Sequence, residues 1–170
     1  MNIDQGLLLF LQENVRNDVL NPFFICVTLS GEKGLIYILI TLILVLRRNT
    51  RRLGILAAIS FIICVGFAEL IKNAVMRPRP FLDIAALIPL VERPDSYSLP
   101  SVHTVSAFSV TCMTLWEGVG LWRWGLLLFA LLMAFSRLYV GVHYPSDVVL
   151  GILIGIAGSY GIYRYCRNRF

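Results

Sequence analysis

Apolar residues run in long blocks along this chain, and the polar residues are gathered into short clusters between them. Gly34 to Leu46 is almost wholly apolar and ends in Arg47-Arg48-Asn49-Thr50-Arg51-Arg52. Leu53 to Ile71 follows, closed by Lys72, and further apolar blocks run from Val102 to Trp116, Trp124 to Tyr139 and Val148 to Tyr163. Such blocks approach the roughly 20 residues that a helix needs to cross a bilayer. Helices and closed barrels are the structures that satisfy their own backbone inside lipid. The pattern predicts an all-α, polytopic membrane helix bundle with about five to six spans. Leu7 to Val15 is too short to span and predicts an interfacial N-terminal helix. Val19 to Leu29, carrying Asn21-Pro22, reads either as a helix of its own or as part of a bent first span. Phe81 to Leu99 is a loop whose apolar middle, Ile84 to Val91, is expected at the membrane interface.

Composition agrees. At 170 residues, 58% hydrophobic and with a mean hydropathy of +0.76, the chain is not an ordinary soluble domain. It reads as one membrane-embedded domain over 1–170. Acidic Asp4 stands where a secretory leader would be basic, so no signal peptide is expected. The net charge of +5 is carried by arginines at span ends, where topology explains it better than nucleic acid does. Arg47, Arg48, Arg51, Arg52, Arg123, Arg164, Arg167 and Arg169 fall on one side with a single acid, Glu117. Most other acids fall opposite, which places the arginine loop and basic tail in the cytoplasm and the polar clusters on the external face. Trp116, Trp122 and Trp124 read as an interfacial belt. The four cysteines are scattered without metal-ligand spacing and read as small hydrophobes.

The candidate chemistry lies in three polar clusters at span ends. Both histidines of the chain are there. Ser101 precedes an apolar block and is expected to cap it, its hydroxyl accepting from the first free amides. Val102 and His103 then fall in the first helical turn, where unpaired N–H groups and the dipole favour a phosphate. His143 and Asp147 are four apart, so the carboxylate can fix the imidazole tautomer and leave the other nitrogen's lone pair free. A histidine held this way serves as nucleophile or base. Lys72, Arg79 and Arg137 supply counter-charge; Arg presents a planar fork to phosphate oxygens and Lys a point charge. Cations at membrane depth require nearby anions, and Glu69, one turn before Lys72, can neutralise it internally. Lys72 and Arg77 can alternatively snorkel to the surface.

Lys72 with Arg79-Pro80, then Pro100-Ser101-Val102-His103, then Ser136-Arg137 with His143 and Asp147, resembles the three-part signature of the type 2 phosphatidic acid phosphatase superfamily. The motifs cover Lys72 to Asp147, and hydropathy covers the rest. The resemblance implies a lipid phosphatase, a phosphoric monoester or diphosphate hydrolase, without metal or other cofactor. It implies that His143 attacks phosphorus to form a phosphohistidine and that Asp147 orients it. It implies that His103 protonates the leaving oxygen and then activates water, while Lys72, Arg79, Arg137, Ser101 and the Val102 amide bind the phosphoryl oxygens. Val102 stands where many members have glycine, and its β-branch narrows the backbone's approach to phosphate.

The expected partners are the lipid bilayer and a lipid phosphate or diphosphate. Undecaprenyl diphosphate, recycled as a cell-wall carrier lipid in the plasma membrane, comes first; phosphatidylglycerol phosphate, lipid A phosphate and phosphatidic acid come after it. A non-enzymatic anion-binding transporter using the same cations is the competing class. A vanadate haloperoxidase shares the motif logic but not the number of spans. No nucleic acid partner is expected, and nothing in the sequence fixes an oligomeric state.

Overall fold

The computed structural model describes residues 3–118 and 120–167 and shows helices without strands among them. Asn168 to Phe170, including Arg169 of the basic tail, lie outside the described residues. In chain order the helices are α1 (Ile3–Asn14), α2 (Leu20–Ser30), α3 (Leu35–Leu46), α4 (Arg51–Val75), the single turn α5 (Pro80–Asp83), α6 (Val102–Trp116), α7 (Trp122–Tyr139) and α8 (Pro145–Cys166).

The centre of the bundle is α6, which packs against α4, α7 and α8. Every residue from Thr104 to Thr114 is buried, including Ser106, Ser109, Thr111 and Thr114. These hydroxyls are tolerable inside because they find acceptors close by. Ser109 and Thr114 bond back to carbonyls three residues earlier, and Ser60 of α4 donates to the Ser109 carbonyl at 3.2 Å. Glycines on α8 set the spacing, as small residues do between membrane helices. A Cβ at Gly155 would lie 2.6 Å from Phe108 Cβ and 3.0 Å from the Ser109 nitrogen.

The all-α membrane fold is as expected, but its spans are unequal. By length and apolarity, Arg48–Asp83 and α8 can each cross a membrane; Leu20–Ser30 and Glu32–Leu46 qualify only as a pair bent by 47°. By length and composition alone that gives two candidate spans, or three with the bent pair taken as one. The helix α6 has 15 residues, a rise of about 22 Å, and is packed among other helices of the bundle. Val19 to Leu29 corresponds to α2, a helix joined to α3 at that bend through Gly31 and the turn Glu32–Gly34. Lys33 and Gly34 there adopt positive φ of 52° and 71°.

At one end of the bundle Arg52 meets Glu117 at 3.7 Å, so the arginine loop and Glu117 share a side. Trp116 departs from a purely interfacial role, since its Nε1 donates to Ser159 at 3.2 Å. Cys64, Cys112 and Cys166 are buried and Cys26 is exposed.

At the other end α1 lies against α7 and α8 and buries Leu8 and Leu11. The loop after α5 is fastened to it. Gln12 donates to the Ala86 carbonyl and accepts from the Ile88 amide, and Ile84 and Leu87 pack with Leu8 and Tyr144. The apolar middle of that loop is therefore mainly a small core under α1. Only its last residue, Val91, lines the large cavity, together with Glu92 to Ser96.

Candidate active site

Three chain segments converge where α4, α6 and α8 reach this second end. The Ser101 amide donates to the Asp147 carbonyl at 3.1 Å, and the Ser98 amide to the Arg77 carbonyl at 2.9 Å. These bonds lock the motif segments together around a cavity of about 680 Å³ lined by Lys72, Arg79, Val102, His103, Arg137 and His143, among others. That volume falls within the roughly 300–1,000 Å³ of small-molecule sites.

Each cation is buried, and each has a holder. Lys72 Nζ lies 3.5 Å from Glu69 Oε1, the internal pairing that the sequence allowed, so Lys72 does not snorkel. Arg79 donates from Nε to the Ser96 carbonyl at 2.6 Å, from Nη2 to Ser96 Oγ at 3.0 Å and from Nη1 to the Val142 carbonyl at 2.9 Å. Arg137 donates from Nη1 to Thr28 Oγ1 of α2, while its Nε has no partner among the described residues. A buried guanidinium with a free donor is arranged for an incoming acceptor.

His143 sits in the turn between α7 and α8. Its Nε2 is 3.3 Å from Arg79 Nη1. Because Arg can only donate, this nitrogen carries the lone pair and Nδ1 carries the proton. Nδ1 faces Asp147 Oδ2 at 3.5 Å, longer than an ordinary hydrogen bond. Burial, reinforced by Arg137 and Arg79, pushes His143 down to about 3 against the pull of Asp147, so the imidazole is neutral at physiological pH.

Asp147 is fully buried and held from several sides. Its Oδ2 accepts from the Tyr144 amide at 2.8 Å and from Ser98 Oγ, and its Oδ1 accepts from Arg77 Nη1 at 2.6 Å. The bond from the Tyr144 amide is the capping-box bond of α8, with Asp147 at N3 and Tyr144 at the N-cap.

Ser101 differs from its expected part. Its backbone is extended, but its side chain makes no cap bond; Oγ instead accepts from Thr104 Oγ1 at 3.0 Å. The residue is fully buried, behind the cavity wall that Val102 and His103 form. A nearby hydroxyl outcompeted the helix amides, which leaves those amides unpaired by Ser101.

Several supporting residues escaped the sequence reading. Arg77, for which the sequence allows snorkelling, instead binds Asp147, Asp4 and Ser146. Its only signal is the doublet Arg77-Pro78-Arg79-Pro80, two arginines fixed by following prolines. Ser96 and Ser98 are loop serines without a pattern. Thr28 is one hydroxyl inside an apolar helix, and nothing in its spacing marks it. Among the described residues, no group of three His, Cys, Asp or Glu side chains has the closeness of a metal site.

The sequence pattern of the PAP2 superfamily matches residues 53–170. The chain belongs to this family. An undecaprenyl-diphosphatase of Sulfolobus acidocaldarius is 36% identical over 121 residues, 71% of this chain and 58% of that protein. The undecaprenyl-diphosphatase BcrC of Bacillus subtilis is 29% identical over 151 residues, covering 88% of this chain and 76% of that one. This PAP2 chain thus spans little more than half of the first relative's length. The crystal structure of Aquifex aeolicus LpxE superposes with a TM-score of 0.85 at 25% identity, covering 97% of both chains. α1 to α3 precede the PAP2 match, although α2 supplies Thr28.

Proposed function

We propose that this PAP2 protein is a metal-independent lipid phosphatase that hydrolyses a terminal phosphate through a phosphohistidine, with undecaprenyl diphosphate as substrate. The observation that carries the reading is His143: a neutral imidazole lining the cavity beside Lys72, Arg79, Arg137 and His103, with the Nε2 lone pair facing Arg79 Nη1, a group that a phosphate would draw away. The names of the Sulfolobus and Bacillus relatives support the diphosphate.

In the first step Nε2 attacks phosphorus, the bond to the leaving oxygen breaks, and His103 gives that oxygen a proton. In the second step His103 takes a proton from water, the hydroxyl oxygen attacks phosphorus, and the phosphorus–nitrogen bond breaks to return His143 and release phosphate. The phosphate's own negative charge offsets the mutual repulsion of the three cations and favours a protonated His103 in the loaded site. Fixed cations around a water-poor site are the largest source of stabilisation for the charged transition state. The imidazolium that forms at His143 is balanced by Asp147.

The arginine-rich loop and tail, which share their side with a single acid, Glu117, support a site on the extracytoplasmic face of the plasma membrane. The cavity's size is suited to a headgroup and the first carbons of its chain. The test is phosphate release by purified protein from a panel of lipid phosphates and diphosphates, with and without chelator. Release from undecaprenyl diphosphate that persists in chelator is expected; turnover that vanishes with chelator contradicts the metal-independent mechanism.

A further inference from the structure

Asp147 has two nitrogen-bearing neighbours, the neutral imidazole of His143 and the guanidinium of Arg77, and only the first belongs to the proposed reaction. His143 Nδ1 approaches Oδ2 at 3.5 Å, whereas Arg77 Nη1 reaches Oδ1 at 2.6 Å. The arginine therefore holds the carboxylate more closely than the histidine does. Arg77 is itself shared. Its Nη2 pairs with Asp4 Oδ2 at 3.0 Å, and its Nη1 also reaches Ser146 Oγ at 2.7 Å. Ser146 in turn bonds Asp4 through both its hydroxyl and its amide. The guanidinium lies 4.0 Å over the Tyr144 ring, whose hydroxyl donates to Asp83 at 2.7 Å. Arg77 is thus placed by α1, by the loop after α5 and by the start of α8 at once.

We propose that Arg77 is a positioning residue that sets how strongly Asp147 binds the Nδ1 proton of His143, and that Asp4 of α1 tunes Arg77. The inference rests on the reading of His143 as the nucleophile. Its physical basis is competition for one charge: what Asp147 spends on Arg77 is not available to an imidazolium at His143. The remaining charged groups around the pair are accounted for. Arg79 and Arg137 face His143 from the cavity side, where Lys72 and His103 also lie. Ser98 Oγ and the Tyr144 amide, both neutral, complete the shell of Asp147. Asp4 lies beyond Arg77 and Asp83 beyond Tyr144. Removing Arg77 should tighten the His143–Asp147 contact. Removing the charge of Asp4 should loosen it, because Arg77 is then less neutralised and draws more on Asp147. A residue that merely pinned the fold would not give opposite signs.

With only two histidines in the chain, ¹⁵N-histidine labelling of the full protein in detergent micelles reports both imidazoles, and His103→Gln assigns them. At neutral pH the Nδ1–H resonance of His143 should move downfield in Arg77→Gln and upfield in Asp4→Asn, and stay near its original position in Arg77→Lys. A rise in the His143 titration midpoint of about one pH unit, tenfold in proton affinity, should accompany Arg77→Gln. An unmoved or upfield resonance in Arg77→Gln overturns the proposal, and so does an Arg77→Lys protein that behaves like Arg77→Gln. If Arg77→Gln does not fold, Asp4→Asn decides: an upfield shift supports the proposal, and an unmoved or downfield resonance overturns it. The resonance is read without turnover, so a protein that releases no phosphate from any lipid would contradict the proposed function and leave this measurement intact.

Discussion

The PAP2 segment from residue 53 onward and the part before it both reach the cavity, the latter through Thr28, Leu29 and the turn after α2, but they contribute differently. The PAP2 segment supplies the cavity-lining groups proposed to handle a phosphate: Lys72, Arg79, His103, Arg137 and His143. The earlier helices supply groups aimed at those groups, with Thr28 holding Arg137 and Asp4 pairing with Arg77. Reactive atoms and the scaffold that aims them are separable parts of one site. Substitutions in the two regions should therefore differ in kind, and the contrast can be broken or sharpened step by step.

The largest effect belongs to the PAP2 segment. His143→Asn removes the lone pair that attacks phosphorus, so phosphate release should fall by at least about 10³-fold while the fold is retained. Measured turnover within tenfold of the original protein would show that the nucleophile lies elsewhere. A smaller effect is expected from α2. Thr28→Val keeps the shape and removes the acceptor for a buried guanidinium, a change worth about 1–3 kcal/mol. kcat/KM should drop by about tenfold, and Thr28→Ser should restore it; a drop as deep as that of His143→Asn would erase the distinction between the two regions.

The smallest effect concerns stability. Folded His143 has its affinity for protons depressed from 6.5 to about 3, so below pH 6.5 the unfolded chain binds a proton that the folded chain refuses. Stability from this residue is present above pH 6.5 and is lost as pH falls toward 3. The melting temperature should consequently fall between pH 7 and pH 4, and fall less, by a margin on the order of a few degrees, in His143→Asn. Equal slopes in the two proteins would mean that His143 is not buried in its neutral form.

The reach of the sequence follows the same division. Long apolar blocks and arginine-rich turns marked the helices, because lipid imposes a pattern that depends on few neighbours. The block Val102 to Trp116 coincides with α6, whose buried hydroxyls find acceptors on its own turns and whose backbone accepts from Ser60 of α4. The cavity's charged residues were legible because cations and imidazoles are rare in so apolar a chain. Thr28, Ser96, Ser98 and the part played by Arg77 were not, since an ordinary serine, threonine or surface arginine becomes a holder only when a distant helix brings its partner close. Ser101 shows the converse: a good capping residue in isolation, it was taken over by Thr104 Oγ1, which the sequence places nearby without saying which acceptor prevails.

The most direct measurement of the central claim is a chemical one. Purified protein is mixed with undecaprenyl diphosphate bearing ³²P in its terminal phosphate, quenched within a turnover, and digested to locate the label. The account predicts an acid-labile, base-stable label on the peptide carrying His143, absent in His143→Asn. Phosphate released at an undiminished rate with no label on that peptide, or with label on another residue, would contradict it.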